Sequence, residues 1–459
     1  MPNLTLSIAS IGTKGDGVAR HEGASLFLPY TLPGEVVRVV MEEGRPRLIA
    51  LEEASPARIR PICPHFTQCG GCAVQHWQAE GVAAWKRARI ITALERVGLS
   101  PDVAQTRDAH GAGRRRVTLH IRACGDKVDT GLSPESMRQK KNDGAFAQAC
   151  GDKGNTGLSP ESMRHEKNDS AVEAGFMRAG THDLINLDAC PLLVPALDQA
   201  PDLAREIGAI LIKLKKPLDL QVTASAVGLD LDIRGAGPIS EAQRQALVAF
   251  ATRHDLARLT LHGTRVMEAR APFILFPDTQ ITAFLPPGSF LQPTALGEET
   301  LASLAFEGLS GAKHVADLFC GLGPFALRLA RAMKVHAFDA DKPAIEALQR
   351  SIRANPGARP LVAEARDLFR RPLFMPDLAT FDAALLDPPR QGAEAQIREI
   401  ARSKLARVVY VSCDPESFAR DARVLVDAGF AITRLTPVDQ FRFSAHVELV
   451  AVFSKAKRG

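Results

Sequence analysis

The chain has 459 residues, 46% of them hydrophobic and 24% charged, with a net charge of +5 and a pI near 8.8. That length allows two or three domains with cores of their own, and the composition excludes a disordered or fibrous protein. No apolar run approaches the roughly 20 residues of a membrane span, and MPNLTLSIASIG lacks the basic start and apolar core of a secretory signal, so the cytoplasm is the expected compartment.

From residue 3 to about 56, short alternating runs (LTLSIASIG, SLFLPYTLPGEVVRVVMEE, RPRLIALEE) predict a small antiparallel β-barrel. Within it GTKGDGVARHEG is too rich in glycine for a strand interior and reads as a loop. Three cysteines follow in 63-CPHFTQCGGCAVQHW-77, spaced C-x5-C-x2-C. In a reducing compartment such clustering favours metal or redox-cofactor binding over disulfides. The spacing alone does not separate zinc from an iron–sulfur cluster. Next, Val82, Trp85, Ile90 and Leu94 recur at helical spacing. Residues 123–148 and 149–174 are then near-identical copies of one polar segment, and the flanking RRRVTLHIR and AGFMRAGTHDLINLD read as arms of one hairpin. A tandem duplication at the hairpin tip accounts for the match between Cys124 and Cys150 without a metal site. Beyond about residue 310 strand-like runs (KHVADLFC, KVHAFD, ARPLVAEA, FDAALLDPP, RVVYVSC, HVELVAVF) alternate with helical ones, predicting a doubly wound α/β domain.

The chemistry-bearing residues fall at the ends of those strands. In 317-DLFCGLGPFAL-327 a strand runs through two glycines into a helix, and the next strand ends in Asp339. Glycines let the backbone approach a ligand closely, and a carboxylate at that distance suits ribose hydroxyls. Together they point to S-adenosylmethionine (SAM) or a nucleotide. 387-DPPR-390 places Asp387 and two prolines at the fourth strand's end, and prolines without amide donors can present carbonyls beside a planar base. Cys413 ends the fifth strand just before Pro415 opens a helix, where the helix field favours thiolate.

Taken in order, C-x5-C-x2-C, DLFCGLGPF, DPPR, SCDP and the late HVE resemble the SAM-dependent RNA uracil-5-methyltransferases, in particular the branch that methylates 23S ribosomal RNA and carries an iron–sulfur cluster. The resemblance implies three parts: a TRAM (OB-like, RNA-binding) β-barrel over 1–57; a central α+β iron–sulfur domain over 58–280, carrying the insert 123–174; and a class I, Rossmann-like methyltransferase domain over 281–459. It implies a [4Fe–4S] cluster on Cys63, Cys69, Cys72 and, from 189-ACP-191, Cys190. It further implies Cys413 as nucleophile and Glu448 as base, with SAM contacts at Gln292, Phe319, Asp339 and Asp387 and a further cofactor or loop contact at Asp367. The implied partner is RNA, and the chain is read as a monomer with no membrane role. A non-catalytic ribosome-assembly factor and a tRNA methyltransferase are the alternatives.

This sequence departs from the family where Pro324 stands in place of the usual Asn and Asp339 in place of the usual Glu, which puts one cofactor hydrogen bond and the ribose contact in doubt. Arg114, Arg115 and Arg116, and Lys213, Lys215 and Lys216, are candidate phosphate contacts. Trp77 and Trp85 read as core residues, with base stacking as the alternative.

Overall fold

The computed structural model describes residues 3–42, 44–123, 172–211 and 217–455. Nearly all of the duplicated insert, with Cys124 and Cys150, and the lysines 213, 215 and 216 lie outside the described residues.

Five strands open the chain: β1 (Asn3–Ile11), β2 (Gly17–His21), β3 (Ala24–Leu28), β4 (Val36–Glu42) and β5 (Arg45–Glu53). They form one sheet in the order β3-β2-β1-β4-β5, whose two edge strands touch. Leu6, Ile8, Ala19, Leu28, Val37 and Val39 fill its interior. The segment read as a loop contains β2. Its Gly17 is there because a side chain would not fit: a Cβ would lie 2.0 Å from Thr31 Oγ1 and 2.9 Å from Ile8. Glycine in a strand marks this kind of close approach.

Helix α1 (Ala79–Arg96) carries the four predicted apolar residues, all buried. Trp77 and Trp85 are buried too, with ring centroids 6.1 Å apart, so they serve the core. The far end of α1 joins a different core. Ile90, Ala93 and Leu94 share a core with Tyr410 and Phe453 of the C-terminal sheet and with Phe418 of a helix that covers it. The short β6 (Arg107–Asp108) pairs onto that same sheet.

A seven-stranded sheet follows, built from β7 (Arg116–Ala123), β8 (Val172–Met177), β9 (Leu184–Asn186), β10 (Leu218–Ser225), β11 (Gly228–Arg234), β12 (Arg258–Leu261) and β13 (Thr264–Glu268). Helices α2 (Ala200–Leu211) and α3 (Glu241–Arg253) cover it. β7 and β8 pair antiparallel with Ala123 opposite Val172, so the two arms of the predicted hairpin do meet at the base of the insert. The hairpin β14 (Phe273–Phe276) and β15 (Ile281–Phe284) and helix α4 (Ala295–Gly308) then lead into the last layer.

That layer contains β16 (His314–Leu318), β17 (Lys334–Asp339), β18 (Leu361–Ala365), β19 (Ala383–Leu386), β20 (Arg407–Ser412), β21 (Phe430–Asp439) and β22 (Glu448–Lys455). Between them run α5 (Pro324–Leu329), α6 (Lys342–Ala354), α7 (Met375–Leu378), α8 (Glu394–Arg402) and α9 (Pro415–Asp427). The order is β18-β17-β16-β19-β20-β22-β21-β6, parallel from β18 to β20 and antiparallel where β22 meets β20 and β21. β21 was absent from the expected strands, because Pro437 and scattered polar residues break its apolar pattern. Antiparallel β22 has a consequence for chemistry: its first residue, Glu448, lies beside the last residues of β20. Among the described residues no helix is long and apolar enough to cross a membrane.

Candidate active site

Parallel strands present their C-terminal ends along one edge, and the switch between β16 and β19 opens a crevice there. Asp317 near the end of β16, Asp339 at the end of β17 and Asp387 just after β19 all lie on this edge. Asp317 is fully buried, and neither of its carboxyl oxygens has a hydrogen-bond partner. Burial, then Asp387, push its pKa well above the usual carboxylate range, and the nearby Ala326 amide offsets this only in part. An orphaned acid at a strand end is expensive unless a ligand supplies the missing partner.

The turn after β16 is shaped for such a ligand. Phe319 adopts φ 64°, a left-handed conformation rare for a bulky residue, and its ring packs against Phe369 at 5.2 Å. Gly321 and Gly323 also have positive φ. A Cβ on Gly323 would strike Leu348 at 2.5 Å, whereas one on Gly321 would meet nothing within 4 Å. Gly323 therefore serves packing, and Gly321 borders open space. Pro324 begins α5, where a missing amide hydrogen costs nothing. Asp339 is fastened to the turn: Gly321 N donates to its Oδ2 and Asp341 N to its Oδ1, each at 2.8 Å. Its shorter side chain thus braces the glycine turn from below. Asp367 accepts from the amides of Phe369 and Arg370, which makes it a loop contact.

Cys413 follows β20, half-buried, beside the start of β22, where Ser412 pairs with Leu449. The helix-field expectation fails here. Burial first, then the Glu448 and Asp387 carboxylates, push the Cys413 thiol up to about 12, with Arg390 pulling the other way. Helix α9 is capped by Asp414, whose side chain accepts from Ser417 N, so the helix terminus already has its anion. Glu448 is buried, and burial with Asp387 raises it to about 8. Asp387 keeps an exposed edge, yet its surroundings and Asp339 hold it at about 7. Near neutral pH these carboxyls thus hold protons as well as charge.

Gln292 is buried, and its Oε1 accepts from Gln440 Nε2 at 2.7 Å; the same Nε2 donates to Glu448 Oε1 at 3.4 Å. Cys413, Glu448, Asp387, Asp339 and, through Gln440, Gln292 are therefore one assembly. Sequence reasoning missed Gln440 and Arg390 and gave Asp317 no role. The loop after β19 is set by Asp421, whose Oδ2 accepts from Ala393 N and from the Tyr410 hydroxyl, each at 2.7 Å. One of the two proline carbonyls in that loop, Pro389 O, accepts from Gly392 N.

Cys63, Cys69, Cys72 and Cys190 meet some distance from this crevice, lining one cavity of about 80 Å³ with Phe66, Phe176 and Leu192. A single water needs only about 10–15 Å³ on such a measure, so the space exceeds one ion. Among the described residues no three His, Cys, Asp or Glu are arranged to hold a metal ion. The structure thus brings the four predicted cysteines to one cavity, without a group of side chains among the described residues that marks a metal ion. Burial raises the thiols of Cys69, Cys72 and Cys190, that of Cys72 to about 11, and Arg114 opposes the shift at each. Arg114 lines the cavity, and its Nε is buried without a partner. The three consecutive arginines therefore go separate ways. Arg115 is buried on Glu298 at 2.5 Å, and Arg116 lies over the Phe290 ring, so the run is not one phosphate-binding strip.

Comparison with known proteins agrees with this architecture. Residues 277–456 match the family described as tRNA (uracil-5-)-methyltransferase. An uncharacterized RNA methyltransferase of Brucella suis biovar 1 is 40% identical over 453 residues, covering 99% of this chain and 98% of that protein. One from Caulobacter vibrioides is 41% identical over 98% of this chain and 99% of its own length. Among solved structures, the Pyrococcus abyssi tRNA (uracil-54, C5)-methyltransferase bound to S-adenosyl-L-homocysteine superposes with a TM-score of 0.65 at 20% identity, over 98% of this chain and all of that one. That likeness gives the C-terminal layer its fold, the class I SAM-dependent methyltransferase fold. With whole-length relatives at this identity, the chain belongs with these RNA methyltransferases, and its C-terminal part matches the uracil-5-methyltransferase family.

Proposed function

We propose that this enzyme methylates C5 of a uridine in 23S ribosomal RNA through a covalent adduct between Cys413 and C6 of the base. The observation that carries the reading is the meeting of Cys413 and Glu448 across β20 and β22, with Asp387 beside both. SAM, when bound, supplies an electrophilic methyl group on a cationic sulfur; the open space at Gly321, the fixed Asp339, the ring of Phe319 and the orphaned Asp317 fit such a ligand. Uracil C5 is too weak a nucleophile to take a methyl group directly. The Cys413 thiol passes its proton to a neighbouring carboxylate and its sulfur adds to C6. The ring becomes an enolate whose C5 takes the methyl group as the donor sulfur leaves as a neutral thioether. Glu448 then removes the C5 proton, the C6–S bond breaks, and the thiolate is regenerated. A base held near pKa 8 matches this task, since it must accept a proton and later release it to solvent.

Cys63, Cys69, Cys72 and Cys190 would hold a [4Fe–4S] cluster, which would cross-link the segments that carry them or help position RNA, since methyl transfer to a pyrimidine is not a redox step. The ribosomal target rests on the likeness of this cysteine set to the cluster-bearing branch. We read residues 1–57 as a TRAM-type RNA-binding barrel, 58–280 as the cluster domain and 281–459 as the catalytic domain of a cytoplasmic monomer. The test is to incubate purified protein and SAM with 23S rRNA and, separately, with bulk tRNA, and to measure 5-methyluridine by mass spectrometry. Product in 23S rRNA supports the proposal; product in tRNA alone moves the enzyme to the substrate named for the Pyrococcus protein; methylation at another base overturns the reading.

A further inference from the structure

Gln440 lies just past β21, wholly buried, and its single amide nitrogen serves two acceptors, Gln292 Oε1 and Glu448 Oε1. The residue cannot swing away. On one side α4 crowds it: a Cβ on Gly297 would come within 2.3 Å of its Oε1 and 2.8 Å of its Cβ. On the other, its neighbour Asp439 is pinned by Lys86, a fully buried lysine of α1, at 2.6 Å. Asp439 also accepts from Phe441 N at 3.0 Å, which ties the backbone on both sides of Gln440. So much packing around one neutral amide exceeds what a simple chain reversal between β21 and β22 requires.

We propose that Gln440 is a positioning residue that joins the base Glu448 to the cofactor-side Gln292, so that methyl-donor binding and C5 deprotonation depend on one hydrogen-bonded network. The proposal rests on the roles given above to Glu448 and Gln292. Its logic is one of donors and acceptors. With the Gln292 oxygen occupied, the NH2 end of that amide is the end turned toward an incoming acceptor group. With an N–H aimed at Glu448 Oε1, the carboxylate is oriented and its charged form is favoured. The other groups facing Glu448 are Asp387 and Arg390 from the loop after β19 and Cys413 from the end of β20. Arg390 and Gln440 favour the charged base, and Asp387 opposes it.

The test is Gln440→Leu, which keeps the volume and removes both donors. Two quantities are read: the affinity for S-adenosylhomocysteine by calorimetry without RNA, and the pH midpoint of tritium release from RNA labelled at uridine C5. Affinity should fall about threefold to tenfold, the range of one lost hydrogen bond, and the pH midpoint should move to higher pH while the melting temperature stays close to that of the parent. Unchanged affinity together with an unchanged pH midpoint would overturn the proposal. If the leucine variant does not fold, Gln440→Met, which keeps the length of the side chain and removes the same donors, gives the same two readouts and decides. The parallel variant Glu448→Gln separates the premises: tritium release at the parental rate would remove the base role, and with it the Glu448 half of the proposal, while the affinity measurement still reports on the Gln292 half.

Discussion

Two groups of half-buried cysteines face surroundings of opposite charge. Cys69, Cys72 and Cys190 share an apolar cavity whose common charged neighbour is the cation Arg114. Cys413 is surrounded by the carboxyls of Glu448, Asp387 and Asp414, with Arg390 as the opposing cation. Burial raises the thiols in both places, so burial does not distinguish them. Thiols that bind a cluster lose their protons to metal binding itself and need only a dry pocket and compensating positive charge. The proposed role of Cys413, a thiolate that forms, adds to a base and leaves again, needs neighbours that can take up a proton and give it back. The carboxyls at about 7 and about 8 are such neighbours.

Exchanging the roles of the two groups gives the largest effect. Cys413→Ala should abolish methylation while the protein remains brown, with about four irons per chain. Cys190→Ala should lose iron and visible absorbance to the same extent as Cys72→Ala. A colourless parent protein with one tightly bound zinc would break the comparison, because the cysteine cavity would then be an ordinary closed metal site. Within the Cys413 group, Glu448→Gln should lower turnover by about 10²- to 10⁴-fold, the usual worth of a positioned base. It should also accumulate protein–RNA adduct with ordinary RNA, because addition and methyl transfer precede the lost step.

The carboxyls also set a pH dependence of stability. Glu448 moves from 4.5 to about 8 and Asp387 from 3.8 to about 7 on folding. The folded state therefore holds protons that the unfolded chain releases, and their contribution, complete below about pH 4, is lost as pH rises through 7 and 8. The ligand-free melting temperature should fall between about pH 5.5 and 8.5, with a shallower fall in Glu448→Gln. An equal slope in parent and variant would show that Glu448 is not held protonated. The smallest effect is expected at the insert. Because Ala123 pairs with Val172, a two-residue Asn-Gly turn can replace residues 124–171 and close the hairpin. Melting temperature and methylation should stay near parental values. Lost activity with intact stability would place RNA contacts in the insert.

Much of this was legible in the sequence, for identifiable reasons. Strands β16, β17, β19 and β20 are short apolar runs with an acid or a cysteine at or next to their ends, and the fixed order of the motifs marked Cys413 and Glu448. What could not be read were contacts between distant segments. Gln292 and Gln440 stand 148 positions apart, and nothing local to either announces the bond. The C-terminal half of α1 looks like part of the cysteine domain until Ile90 and Leu94 are seen in the other core. Gly17 suggested a loop because a missing side chain looks the same whether it permits a turn or a close approach. The helix beside Cys413 suggested an easily formed thiolate because the sequence does not show how near Glu448 and Asp387 come.

The central claim is that Cys413 forms a bond to C6 of uridine. RNA transcribed with 5-fluorouridine tests it most directly, since fluorine at C5 cannot leave as a proton and the reaction should stop after methyl transfer. The parent protein, given SAM, should form a denaturation-resistant complex whose digest contains the peptide around Cys413 carrying one methylated fluorouridine. Cys413→Ala should form none. A complex formed equally by the alanine variant, or an adduct on another residue, would contradict the account.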